Sequence, residues 1–158
     1  MLVEGLLECW LSGPVEHIGS TAVPGLRAKP VIDMLAPVVS LAEARAAVPV
    51  LAGAGWVFWP ADPGGHYRLW LLRPRPEART HHLQVMEGED PHVRAVLAFR
   101  DVLRSDAGLR QEYASLKDQL CEQHRAGRNA YTNAKGAFVQ RVLRQAGITP
   151  PERGLLPE

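Results

Sequence analysis

Val15-Glu16-His17-Ile18-Gly19-Ser20-Thr21-Ala22-Val23-Pro24-Gly25-Leu26-Arg27-Ala28-Lys29-Pro30-Val31-Ile32-Asp33 is the stretch from which the fold can be read. A short apolar strand, Val15 to Ile18, runs into a small-residue turn, and a second apolar strand, Pro30 to Val38, then delivers the carboxylate of Asp33. Gly19 allows a close backbone approach to phosphate oxygens, the Ser20 and Thr21 hydroxyls can donate to them, and Asp33 can hold a divalent ion. The same residues also suit a plain turn with a helix N-cap at Ser20 or Thr21 and an Asp at a strand end. On pattern alone the two readings stand level.

Working outward, Leu2, Leu6, Leu7, Trp10 and Leu11 predict a helix over residues 2–12, stopped by Gly13-Pro14. Ser40-Leu41-Ala42-Glu43 is a capping box that opens a helix running to Gly53–Gly55, with Pro49 placed to kink or split it. Trp56–Trp59 is a third strand candidate and Asp62-Pro63-Gly64-Gly65 a turn. His66–Arg73 and Thr80–Glu87 read as strands able to pair antiparallel. Beyond Gly88 the pattern turns helical. Asp90-Pro91 opens a helix to about Arg104, Asp106 caps the next, and a last helix begins at Asn129 or Tyr131 and ends at Gly147. The fold class is α+β: a small mixed β-sheet with helices on one face, followed by a helical C-terminal half. Residues 1–147 form one domain in this reading, and 148–158, rich in Pro and Gly, a flexible tail.

A chain of 158 residues, 46% hydrophobic and 22% charged, has the composition of one globular domain. Its net charge of +1 gives no basic field for duplex nucleic acid. Cys9 and Cys121 match no metal or redox spacing and read as free thiols of a reducing compartment. No apolar run approaches a membrane span and no signal peptide is evident, so the expected location is the cytoplasm.

The first block, Glu16 to Leu26 followed by Lys29-Pro30-Val31-Ile32-Asp33, closely resembles the signature of the GrpB family, a group assigned to the nucleotidyltransferase (DNA polymerase beta-like) superfamily. Thr80-His81-His82-Leu83-Gln84-Val85 is similar to its His-His-Leu-His-Val strand. Leu116-Lys117, Tyr131, Lys135 and Phe138 resemble its C-terminal helical pattern. The resemblance covers about residues 15–147. It implies a nucleotidyltransferase-like sheet whose Gly-Ser turn faces a nucleoside triphosphate, with magnesium or manganese as cofactor. In that superfamily two or three carboxylates hold two ions for an in-line displacement. Here Leu35 stands where the second carboxylate belongs, on the same strand face as Asp33. Some family members are fused to dephospho-coenzyme A kinase. The abrupt start at Met1-Leu2, where relatives carry a further segment, points to a short or truncated member with an edge open to homodimer formation.

The expected site places Gly19, Ser20, Thr21 and Lys29 on phosphate, with Lys117, Tyr131 and Lys135 closing the pocket from the helical half. Asp33 is expected on metal, with His82 as a metal ligand or general base. Thr80, His82 and Gln84 share one strand face, but Gln84 occupies the position of a family His. Each residue has a plain alternative. Lys29 suits a solvated strand start, the Lys/Tyr pair suits snorkelling over a packed ring, and the His pair suits a strand edge. Arg68 and Arg73 are weak anion candidates. Trp56, Trp59 and Trp70 read as packing before stacking, and the arginines at 94, 100, 104, 110, 125 and 128 as solvated helix faces. Two functions remain open: nucleotidyl transfer from a metal-bound nucleotide to an unknown acceptor, or a non-catalytic module that binds a nucleotide or other phosphorylated small molecule.

Overall fold

A computed structural model describes residues 2–124 and 128–152. The expectations placed on Met1, Arg125 and residues 153–158 lie outside the described residues, as does that on the Arg128 side chain. Five strands, β1 (Glu16–Ile18), β2 (Ile32–Val38), β3 (Val57–Phe58), β4 (Arg68–Arg73) and β5 (His81–Glu87), form one sheet in the order β1-β2-β5-β4-β3. β2 and β5 run parallel, and every other pairing is antiparallel. The sheet is therefore mixed, and β4 and β5 pair antiparallel as their sequences suggest.

Alternation along β2 and β5 sends their apolar residues to both faces, so both must be covered. On one face Met34, Ala36, Val38, Leu83 and Val85 pack with Leu69, Leu71 and Trp56 under helices α1 (Leu2–Leu7), α2 (Leu41–Ala44) and α3 (Val48–Gly53). Each fully buried leucine there contributes roughly 1.5–3 kcal/mol. Pro49 splits the second helical segment as expected: a 3-10 turn at Arg45–Ala47 separates α2 from α3. The Ser40 hydroxyl accepts from the Glu43 N–H at 3.3 Å, the forward half of the capping box. α1 is shorter than its apolar stripe predicts. The backbone beyond it is drawn to β2 instead, with Leu11 bridging Val38 and the Ser12 N–H donating to the Pro37 carbonyl at 2.9 Å.

The helical half lies against the other face through α4 (Pro91–Ser105), whose Val93, Val96 and Leu97 pack on Ile18, Leu35 and Met86. Asp90 and Asp106 cap α4 and α5 (Ala107–Gln123) through side-chain bonds to the N–H groups of His92 and Leu109. The expected last helix is two, α6 (Arg128–Ala134) and α7 (Gly136–Gln145), with low-propensity Gly136 opening the second. Leu103, Tyr113, Phe138 and Val142 close around Val23 and Leu26, so the helical half grips the segment that follows the turn. Of the expected tail, the Ile148 N–H donates to the Leu143 carbonyl and Glu152 offers its carbonyl to His92. No helix among the described residues is long and apolar enough to cross a membrane.

Candidate functional site

Strand register assembles the site. Ile18, Asp33 and His82 are direct cross-strand partners, and Leu72 and Val57 extend the same row across the sheet. Partners opposite one another point to the same side, so Asp33 and His82 must meet. The Asp33 Oδ1 and His82 Nδ1 atoms are 2.7 Å apart. A carboxylate only accepts, so Nδ1 carries the proton and donates it. His82 Nε2, on the far side of the ring, is shielded from solvent and has no hydrogen-bond partner. A buried nitrogen left so costs about 1–3 kcal/mol, a cost shared among the described residues by the buried Trp56 Nε1.

The turn lies against this pair. Gly19 has φ +72°, and a Cβ added there would sit 2.6 Å from Asp33 Oδ2, so only glycine lets the backbone pass the carboxylate. Ser20–Ala22 then forms a single 3-10 turn. Lys117 of α5 reaches back to it, its Nζ donating to the Arg27 carbonyl at 2.6 Å and to Ser20 Oγ at 3.3 Å. Burial holds the Lys117 pKa below the usual lysine range; the Asp118 charge opposes that shift and the Arg27 charge adds to it. Because Ser20 Oγ accepts from Lys117, its own O–H remains a donor for an incoming anion.

Thr21 behaves differently. Its hydroxyl donates to the Val31 carbonyl at 3.2 Å and accepts from His17 Nε2 at 2.9 Å, which fixes His17 as the Nε2–H tautomer. Thr21 therefore ties the turn to the start of β2, and its donor is already used. Lys29 is exposed and lines an open cleft between residues 29–31 and 76–80, at the strand ends rather than beside Asp33. Tyr131 and Lys135 pair with each other, Nζ lying 4.3 Å from the ring centre. Burial, with the Cys121 and Asp118 charges, raises the Tyr131 pKa, which places the ring beside α5.

Gln84, the position of the family His, accepts from Arg68 at 3.0 Å, while Arg68 grips Asp62 through Nε and Nη2 at 2.7 and 2.8 Å. Three of the five N–H groups of that guanidinium are thus used within the fold. Arg73 lies over Trp56, which is buried. Arg100, expected on a solvated helix face, is instead only 9% exposed. It binds Glu16 at 2.6 Å, the His17 carbonyl at 3.0 Å and Asp101 at 2.7 Å, and so anchors β1 just before the turn. The signal was present: Val93, Val96, Leu97, Arg100 and Leu103 follow one helical stripe. Arg104 donates to the Ala22 carbonyl at 2.8 Å and holds the end of the turn from the same helix.

The donor set can be tested against the divalent ions the resemblance implies. Among the described residues no group of three or more His, Cys, Asp or Glu gathers to hold a metal. Leu35 is fully buried against Ile18, Met86 and Val93, and Glu16, next to it across β1, is spent on Arg100. Two ions do not fit this set. A single magnesium ion, which commonly binds one carboxylate together with substrate phosphates, would fall to Asp33 Oδ2, the oxygen that His82 leaves unbonded.

Comparison with known proteins matches residues 2–145 to the family described as GrpB protein. A UPF0157 protein of Pseudomonas aeruginosa is 38% identical over 137 residues, covering 84% of this chain and 54% of that protein. The chain thus spans about half the length of that relative. A UPF0157 protein of Streptomyces coelicolor is 37% identical over 133 residues, covering 84% of this chain and 68% of the relative. The crystal structure of GrpB from Enterococcus faecalis superposes with a TM-score of 0.81 at 30% identity, covering 92% of this chain and 86% of the other.

Proposed function

Because the chain belongs to the GrpB family, and its turn and Asp33–His82 pair converge on one strip of sheet, we propose that it binds a nucleoside triphosphate and transfers the nucleotidyl group to an acceptor hydroxyl. The observation that carries the reading is the approach of Ser20 and Lys117, from opposite halves of the chain, to 3.3 Å, one residue on from the Gly19 that passes against the Asp33 carboxylate. Ser20 O–H and the Lys117 ammonium bind the phosphates, the lysine acting as a point charge. His82 Nδ1–H holds Asp33 with Oδ2 toward the turn. A single magnesium or manganese ion on Oδ2 would neutralise charge on the phosphates. The acceptor oxygen bonds to the α-phosphorus as pyrophosphate leaves, and its proton passes to His82 Nε2. That nitrogen is closed to solvent in the free protein, so the acceptor has to open the contact over it.

Two observations favour a second reading. Leu35 removes the second carboxylate and Nε2 is covered, as suits a module that binds a phosphate ester without transferring it. Calorimetric titration with each nucleoside triphosphate, with and without magnesium, followed by a pyrophosphate assay against candidate acceptors, separates the two. Magnesium-dependent binding lost in Asp33→Ala, with pyrophosphate released, supports transfer. Metal-independent binding without pyrophosphate supports the module. Failure of every phosphate ester to bind, with Lys117→Ala indistinguishable from the parent, ends both.

A further inference from the structure

Two exposed apolar side chains lie on the same sheet face as the Asp33–His82 pair. Val57, 36% exposed, is partnered by Leu72, which is partnered by His82. Trp59 is 43% exposed and continues that pairing, its N–H donating to the Trp70 carbonyl at 2.9 Å. Two residues on from Val57 along an extended chain, it shares Val57's face. Trp70 faces the same way, opposite Gln84, and its ring centre lies 5.4 Å from that of His82. The Arg68 guanidinium, clamped by Asp62 and Gln84, sits 4.1 Å from the Trp70 ring centre and fixes that indole in place. α4 covers Ile18, Leu35 and Met86 on this face, yet Trp59 and Val57 remain in solvent.

Geometry decides what kind of group belongs there. In an in-line displacement the nucleophile enters opposite the leaving group. With the leaving pyrophosphate on the Ser20–Lys117 side of Asp33, the acceptor arrives from the other side, across β5 and β4, where Trp70, Trp59 and Val57 lie. A second protein copy suits the patch poorly. β3 is an edge strand of two residues, too short to template another strand, and one indole with one valine falls far below the roughly 1,200 Å² of a stable interface. One exposed indole beside a braced one does match a single flat ring.

We infer that the β3–β4 end of this face is the acceptor subsite, and that the acceptor carries a flat aromatic or heteroaromatic ring that stacks on Trp59 beside Trp70. This rests on the transfer reading above. It also explains why a sheet that buries Trp56 leaves Trp59 open. Stacking on an indole tolerates many rings, so the site selects for flatness before ring chemistry.

The test uses the full chain, indole N–H resonances, and tyramine and adenosine as ring probes, with glucose as a non-planar control, each added with and without saturating ATP. Both ring probes should shift the Trp59 and Trp70 signals and leave Trp10 and Trp56 in place, while glucose shifts none. Trp59→Ala should weaken the ring probes about tenfold or more, Trp59→Phe should recover part of that loss, and ATP affinity should be unchanged in both. Ring probes that leave Trp59 unmoved, or bind Trp59→Ala equally well, overturn the subsite. Ring probes that saturating ATP displaces would assign the patch to the donor's base and also overturn it. An ATP failure reads separately, through Lys117→Ala, because the ring titration is also made without nucleotide.

Discussion

Gly19 and Asp33 stand so close that a Cβ on Gly19 would lie 2.6 Å from Asp33 Oδ2, and Gly19 sits at φ +72° besides. Gly19→Ala meets both obstacles. With ψ −171° this backbone lies in a region open essentially to glycine alone, which costs another residue about 1–3 kcal/mol, and the methyl pushes the carboxylate off its His82 contact. The expected outcome is a lower urea midpoint together with loss of magnesium-dependent ATP binding. Adding Asp33→Gly to Gly19→Ala should recover part of the stability and none of the binding. A Gly19→Ala protein that binds ATP normally would show that the close approach serves no ligand.

Leu35 is the residue that departs from a two-ion centre, and its surroundings show that the departure is built in. It is fully buried and packs with Ile18, Met86 and Val93. Leu35→Ala should cost about 2–5 kcal/mol in urea unfolding. Leu35→Asp should fail to fold near neutral pH, because it buries a carboxylate with no partner. A folded Leu35→Asp protein with new magnesium affinity would mean that a second-ion site needed only its ligand.

The strand–turn–strand was legible because its cues are local: a nearly continuous apolar run through β2, small residues in the turn, and a lone carboxylate within that run. Register then followed from the parallel pairing, which sets Asp33 opposite His82 and Leu35 opposite Gln84. What stayed hidden depends on partners distant in sequence. The Thr21 hydroxyl reads as a phosphate donor until Val31 is seen to take its proton. Arg100 reads as solvated until Glu16 and the His17 carbonyl close on it. Lys29 and Lys117 look alike as sequence, and only the course of α5 brings Lys117 to Ser20 while Lys29 stays at the strand ends. The apolar stripe of α1 runs past its true end because backbone bonding to β2 outweighs it.

His17 supplies a pH signature of the turn. Burial first, then the Arg104 and Arg100 charges, hold its pKa below the usual 6.5, with Asp33 opposing. A histidine depressed in the folded state favours folding fully above the unfolded value. That contribution declines as pH falls from 6.5 towards the folded value and is level below it. The stability difference between the parent and His17→Gln, which retains a donor for Thr21, should therefore shrink across mildly acidic pH. A difference that holds constant through that range would contradict the placement of His17.

Lys117 gives the corresponding test for the ligand. Burial, the largest cause, lowers its pKa from the usual 10.5. An anion beside Ser20 favours the charged form, so phosphate affinity is complete below the free-state pKa and falls as pH rises through it. That fall should begin at lower pH than an ordinary lysine would allow, and binding within that window should take up a proton. Titrating ATP in two buffers of different ionisation enthalpy measures the uptake directly. Lys117→Ala should weaken ATP about tenfold or more, since a hydrogen bond to a charged group contributes roughly 1.5–3 kcal/mol. Lys117→Arg keeps its charge at every accessible pH, so the alkaline decline and the proton uptake should both vanish even where its longer head binds less well. Proton uptake that persists in Lys117→Arg would assign the titrating group elsewhere and remove Lys117 from the phosphate site.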